Sequence, residues 1–217
     1  MVTSRDGEDE AMMARCVALS RIAVGKGEYP FGAVVAREGR IVAEAINRTI
    51  RDGDVSRHAE VIALARAQKA IGRRELRECS LYSNVEPCAM CSYCIREAWV
   101  GRVVYALGSP VMGGVSKWNI LRDDGLSGRM PQVFDAAPEV VSGVLVEQAQ
   151  AAWRDWSPLA WEMITLRGLM TDPSARPECR TRAARPRSLW HHLVALIERP
   201  PRPYVDPTSA AEGHADL

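Results

Sequence analysis

A chain of 217 residues with 47% apolar and 25% charged side chains is long enough to bury a full core without disulfide staples and has the composition of an ordinary globular domain with extras. Its formal net charge is +1, from 21 basic against 21 acidic side chains over residues 1–168 and 7 against 6 over residues 169–217, so neither part has the basic excess that phosphate contacts usually require. No window approaches the roughly 18 apolar residues of a spanning helix, and the acidic opening "MVTSRDGEDEAMM" is unlike the basic start of an export signal, which points to a cytoplasmic protein with no membrane partner.

The first element expected is a helix in "DEAMMARCVALSRIAVGKG", where Met12, Cys16, Leu19 and Ala23 share one face. "FGAVVA" and "RIVAEAI" are strand-like runs separated by "REGR", with Gly39 available for a tight turn, and read as a hairpin. A second helix, in "SRHAEVIALARAQKAIG", takes Asp54 or Ser56 as its cap and Gly72 as its stop. "CSLYSNV" and "GRVVYAL" are strands bracketing a cysteine-bearing segment, and "PEVVSGVLV" is a fifth. "EQAQAAWRDWSPLAWEMITLRGL" is helical, with an interruption at Pro158. This order predicts an α/β domain, a sheet covered by helices, over residues 10–168. From residue 169 the composition turns rich in Arg and Pro, and a largely disordered tail holding one short helix, "SLWHHLVALIER", is expected. Its five arginines between residues 176 and 187 read as a solvated run, with an acidic partner as the alternative.

Six cysteines in a chain without an export signal point to metal binding or catalysis. "NVEPCAMCSYC" sets Cys88, Cys91 and Cys94 three residues apart, directly after a strand. A redox C-x-x-C opening a helix is one reading. An iron–sulfur cluster wants a fourth cysteine shortly after the third, where the chain has Ala98. A structural zinc closes with four ligands, yet the one histidine before the tail is His58. His58 with Cys88 and Cys91 leaves a coordination position open, the mark of a catalytic zinc, and Glu60 lies beside it. Residues two apart on a helix point about 200° apart, so His58 and Glu60 converge only on a metal off the N-terminal end of their helix. Cys88 and Cys91 share a face, and Pro87 suits the start of their helix. Two helix N-termini aimed at one ion favour thiolates and a bound hydroxide. Cys94 turns roughly 120° away from Cys88 and belongs to core or subunit packing, as do Cys16 and Cys79 in their apolar patterns.

His58-Ala59-Glu60 followed by Pro87-Cys88-Ala89-Met90-Cys91 matches the H-x-E…P-C-x-x-C signature of zinc deaminases. Over roughly residues 10–168 the sequence resembles the cytidine deaminase superfamily, in the branch holding bacterial tRNA adenosine deaminases, guanine deaminases and fungal-type cytosine deaminases. The resemblance implies a three-layer α/β/α fold with a central mixed five-stranded sheet, Zn2+ on His58, Cys88 and Cys91, and Glu60 as the acid/base of a hydrolytic deamination that releases ammonia. It also implies a homodimer or larger assembly with sites near the subunit interface.

For the substrate, the resemblance implies that Asn47 hydrogen-bonds the base or sugar and that the Ala59 backbone borders the base. A strand-end turn is the other use of Asn47. Phe31 packs near the pocket or in the core. Asp123 and Asp124 are candidates to read a purine's ring N–H groups, against the common Asp-Asp-Gly turn. Trp153, Trp156 and Trp161 are candidates to close over a base, against ordinary core packing. "PFGAVVA" looks more like guanine deaminases, whereas "NRTI", "EPCAMC" and "GRVVYA" look similar to tRNA adenosine deaminases, and residues 108–135 depart from both. The expected substrate is a small nucleobase or nucleoside of guanine or cytosine type, with tRNA-specific adenosine deamination to inosine as the alternative.

Overall fold

Alternation along each central strand builds two cores, one on either face of a sheet. The structure, a computed structural model, describes residues 5–173; the expected tail helix and the five arginines lie outside the described residues. The strands are β1 (Gly32–Arg37), β2 (Arg40–Ile46), β3 (Ser80–Val85), β4 (Arg102–Leu107) and β5 (Glu139–Ser142), in the order β2-β1-β3-β4-β5. β1 runs antiparallel to β2 and β3, while β3, β4 and β5 are parallel. The helices are α1 (Arg5–Gly25), α2 (Ala59–Ile71), α3 (Ala89–Glu97), α4 (Asp124–Arg129), α5 (Val146–Trp156) and α6 (Pro158–Leu166).

Ala33, Val35, Leu81 and Val103 point to one face and cluster with Ile62, Leu64 and Ala67 of α2 and Ile95 of α3. Their strand neighbours Val34, Ala36, Tyr82 and Val104 point to the other and cluster with Met13, Cys16 and Val17 of α1 and Ala149, Ala152 and Trp153 of α5. A period of two on strands buried from both sides gives this three-layer α/β/α arrangement with a mixed five-stranded sheet, as expected. Glu38 and Gly39 close the hairpin with φ of 50° and 70°, the pair of positive angles that a two-residue turn needs to follow the strand twist. At Gly32 a Cβ would lie 2.5 Å from the Cys16 carbonyl oxygen, so glycine is what lets α1 seat on β1.

Two local expectations are corrected, and one segment without an expected element acquires structure. α2 is capped by His58 rather than Asp54 or Ser56, and Asp54 instead accepts from Ser56 N (2.8 Å) and Oγ (2.7 Å), closing a turn ahead of the helix. Gly72 stops α2 as expected, at φ 76°. On α1 the core face is led by Met13 rather than Met12, because the buried stripe also carries Asp9. Residues 109–135 are not plain loop: they hold a 3-10 turn at Ile120–Arg122 and then α4. Arg96, 1% exposed, organises that segment by donating to the carbonyls of Ile120 (2.8 Å), Asp123 (3.0 Å) and Asp135 (3.2 Å) and to Ser127 Oγ (2.6 Å). Among the described residues no helix is long and apolar enough to cross a membrane.

Asp9 is buried because β4 offers it a partner: Arg102 Nη1 and Nη2 donate to its two oxygens at 2.6 and 2.8 Å, and Tyr82 Oη donates to Oδ1 at 2.9 Å. Burial raises the Asp9 carboxyl and the Arg102 and Tyr82 hydrogen bonds lower it, leaving it below its ordinary value of 3.8. Its stabilisation is therefore present above that value and is lost as the pH falls through the depressed one. Asp9→Ala leaves the buried Arg102 guanidinium only the half-exposed Glu139, whose Oε2 lies 3.3 Å from its Nε, and is expected to cost about 3 kcal/mol, read as a lower denaturant midpoint at pH 7. The difference from the unmodified protein should shrink towards pH 3.

Candidate active site

The βαβ crossover from β3 through α3 to β4 sets the N-terminus of α3 just beyond the carboxyl end of β3, where open α/β sheets place their ligands. Cys88 is the N-cap of α3 and His58 the N-cap of α2, both with extended backbone (φ −67°, ψ 174° and φ −67°, ψ 148°), and neither side chain caps its own helix. Both side chains instead meet Cys91, one turn into α3. Cys88 Sγ lies 3.6 Å from His58 Nδ1, Cys91 Sγ 3.4 Å from His58 Nδ1, and the two sulfurs are 3.6 Å apart.

These edges fit a metal. A tetrahedral zinc with Zn–S of about 2.3 Å and Zn–N of about 2.0 Å needs ligand separations of roughly 3.5 to 3.8 Å. Two thiols and an imidazole are the soft and borderline donors that zinc takes, and three protein ligands leave the fourth position to water or substrate. His58, Cys88 and Cys91 are also the group of donors found close enough together, among the described residues, to hold a metal ion.

Electrostatics at the site favour the ligand state of Cys88. A hydrogen bond from the Cys91 thiol, opposed by burial and aided by His58, brings the Cys88 thiol down to about 4. Its hydrogen bond to Cys88 keeps His58 above its ordinary value, against burial. Glu60, the second residue of α2, is 5% exposed. Burial pushes its carboxyl above the usual range, with His58 among the opposing groups. Ser83 Oγ, from β3, donates to Glu60 Oε1 at 3.4 Å. A carboxyl kept from water beside an open metal position is the arrangement of a proton shuttle.

The substrate-contact expectations divide. Asn47, 3% exposed, stands at the end of β2, its N–H donating to the Phe31 carbonyl at 3.1 Å, and Arg48 N–H donates to the Arg57 carbonyl at 3.0 Å, which sets Asn47 across from His58. Ala59 is fully buried at the first turn of α2. Phe31 packs edge-on against Trp153 at 5.1 Å, and Trp156 packs edge-on against Trp153 at 5.6 Å and Tyr29 at 5.8 Å. Trp153 is a core residue at 3% exposure, and Trp161 is partly buried against the same cluster. Asp123 takes the turn reading, its Oδ1 accepting from Gly125 N at 2.8 Å as the cap of α4. Cys94 packs against the α2/α3 core, and Cys16 and Cys79 are buried in theirs.

Two further buried carboxylates hold the loops around these groups. Glu28 accepts from Asn47 Nδ2 (3.0 Å), Ile50 N (3.2 Å) and Arg51 N (2.7 Å). Glu86 accepts from Ser109 N (2.6 Å), Val115 N (2.9 Å) and Ser116 N (2.7 Å) and Oγ (2.8 Å), pinning the loop that bridges Gly113 to Cys88. Glu86, next to Pro87 in an otherwise apolar run, carried the same signal as Glu60. Glu28, between Gly27 and Tyr29 in a polar turn, carried none. Asn84 accepts from Gly32 N and donates to the Pro30 carbonyl, both at 2.9 Å, and so fixes the segment that presents Phe31.

Residues 6–107 match the family model of the cytidine and deoxycytidylate deaminase zinc-binding region. The chain is 31% identical over 132 residues to a probable cytosine deaminase of Schizosaccharomyces pombe, spanning 61% of this chain and 75% of that one. To the guanine deaminase of Bacillus subtilis it is 40% identical over 98 residues, 45% of this chain and 63% of that one. It spans only 19% of the length of the tRNA(Ile)-lysidine synthase of Deinococcus radiodurans, to which it is 39% identical over 110 residues. Among solved structures, a tRNA deaminase that edits adenosine to inosine at the wobble position superposes with a TM-score of 0.55 at 30% identity, over 65% of this chain and 98% of that one. A protein solved in complex with 8-azaguanine superposes with a TM-score of 0.59 at 26% identity, over 70% of this chain and 85% of that one.

Proposed function

The chain belongs to the cytidine and deoxycytidylate deaminase family of zinc-dependent hydrolases, and from that premise we propose that it deaminates a small amino-substituted nucleobase or nucleoside of guanine or cytosine type, releasing ammonia. The observation that carries the reaction class is the placement of buried Glu60 on the same helix start as His58, close enough to His58, Cys88 and Cys91 for all three to act on its carboxyl. His58, Cys88 and Cys91 would hold a zinc ion that, when bound, would lower the pKa of a water on it towards about 7. Glu60 would take a proton from the attacking water and deliver it to the ring nitrogen beside the carbon bearing the amino group, which readies the carbon for attack. Glu60 then carries the remaining hydroxyl proton to the amino group. The C–N bond breaks, ammonia leaves, and a ring carbonyl remains, so amine plus water balances carbonyl plus ammonia.

The small-substrate preference is supported by the even charge of residues 1–168, which offers little to a phosphate backbone. Phe31, whose carbonyl accepts from Asn47 N–H, and Trp156 with Tyr29 against it, both packed over the buried Trp153, offer flat apolar surface. Adenosine within tRNA is the second reading, favoured by the likeness to the wobble-position deaminase along 98% of that protein. Ammonia release by zinc-loaded protein from cytosine, guanine, adenine, their nucleosides and an adenosine-bearing anticodon stem-loop separates the two. Turnover of free bases or nucleosides alone is the expected result, and turnover of the RNA alone replaces it with the second reading.

A further inference from the structure

Asn47 has both of its amide hydrogens committed. Nδ2 donates to Glu28 Oε2 at 3.0 Å and to Thr49 Oγ1 at 2.8 Å. Which end of an asparagine amide faces a partner is fixed by what that partner can do. A carboxylate only accepts, so the nitrogen must face Glu28 and the oxygen must face away. Among the described residues Asn47 Oδ1 accepts nothing, and it is not among the buried atoms left without a partner. Glu28 is itself held in place, 2% exposed, by the backbone N–H groups of Ile50 and Arg51. The turn that follows β2 therefore sets the amide before any ligand arrives.

We infer that Glu28 is a positioning residue that locks Asn47 with its carbonyl oxygen towards the substrate, so that the site selects a base edge presenting a ring N–H, which for cytosine means the free base rather than its N1-substituted form. This rests on the reading of Asn47 as a substrate contact. The selection follows from asymmetry: an acceptor that cannot rotate is left unpaired by a ring edge without a donor, and an unpaired buried group costs far more than a made hydrogen bond returns. Adenine attached to ribose offers only acceptors on its ring apart from the amino group that leaves. Cytosine as a free base keeps the N1–H that ribose would replace, whereas guanine carries N1–H with or without a substituent at N9.

Two measurements test it. The first needs no substrate: in protein labelled at asparagine nitrogen, the Asn47 side-chain amide protons should exchange slowly, and Glu28→Gln should make them fast while the zinc content stays unchanged. Should Glu28→Gln fail to fold, Thr49→Val removes one of the two acceptors at little change in shape and should speed exchange of one proton. Amide protons as slow in either folded variant as in the unmodified protein overturn the lock. The second compares binding of cytosine with 1-methylcytosine, and of guanine with its 1-methyl and 9-methyl forms, on a Glu60→Gln background that does not consume the ligand. The N–H form of the better-bound base should be preferred by at least about tenfold. That preference should collapse to within a fewfold in Glu28→Gln and in Asn47→Ala, with no further loss when the two are combined. A preference that survives Asn47→Ala is steric and overturns the selection. Binding of neither base overturns the free-base reading, while the exchange measurement still decides the lock.

Discussion

Glu60→Gln is expected to lower turnover by on the order of 10³-fold or more while the protein keeps its zinc and its melting temperature. Gln has the shape of Glu and still accepts from Ser83 Oγ, which lies 3.4 Å from Glu60 Oε1, so packing and the start of α2 are preserved. What is lost is the proton. An amide takes none from water and gives none to a ring nitrogen or a departing amine, and both transfers in the proposed cycle run through this one side chain. General acid–base transfers contribute about 10²- to 10⁴-fold each. The loss falls on kcat, because the carboxyl acts on groups whose charge changes during reaction rather than on the resting substrate. Steady-state ammonia release, with zinc measured on the same sample, checks it. Turnover within tenfold of the unmodified protein would remove Glu60 from the reaction.

The parts of this site that the sequence made readable are those whose chemistry is written in residue type and spacing. His58, Glu60, Cys88 and Cys91 stand two and three residues apart at the starts of two helices, and the structure brings His58 and the two cysteines within ligand distance of one another. The five strands were readable for the same kind of reason, since Val34, Val35, Val103 and Val104 are apolar on both faces of a doubly covered sheet. The segment after β4 was not. It is held by Arg96 through the carbonyls of Ile120, Asp123 and Asp135, and every residue has a carbonyl, so such bonds leave no mark on the sequence. Asp123, a candidate to read a purine against the common Asp-Asp-Gly turn, caps α4, because the same Asp-Asp-Gly serves a helix start as well as a binding site. Glu28 was missed for the converse reason: its place in a polar turn reads as solvent-facing, and its burial exists only because the turn after β2 folds its N–H groups back onto it.

The three cysteines of "NVEPCAMCSYC" are expected to separate cleanly when each is changed to serine. Cys91→Ser, at a fully buried position 3.4 Å from His58 Nδ1, replaces a soft thiolate with a hydroxyl that stays protonated. Zinc affinity should fall by at least on the order of 100-fold, and turnover with it. Cys88→Ser should do the same, because Cys88 closes the same triangle from the helix cap. Cys94→Ser should keep full zinc. Its side chain packs against the core between α2 and α3, so the cost is stability, about 1 kcal/mol for a partly buried hydroxyl. Zinc per chain, thiol counts under denaturing conditions and melting temperature distinguish the three. A chelator should reproduce the Cys91→Ser defect in the unmodified protein, and added zinc should reverse it. A redox C-x-x-C predicts the opposite pattern: activity that survives chelation and His58→Ala, and is lost when Cys88 and Cys91 are blocked by oxidation. The geometry opposes it, because the two sulfurs are 3.6 Å apart with His58 Nδ1 within 3.6 Å of both, which is the triangle that a shared metal holds together.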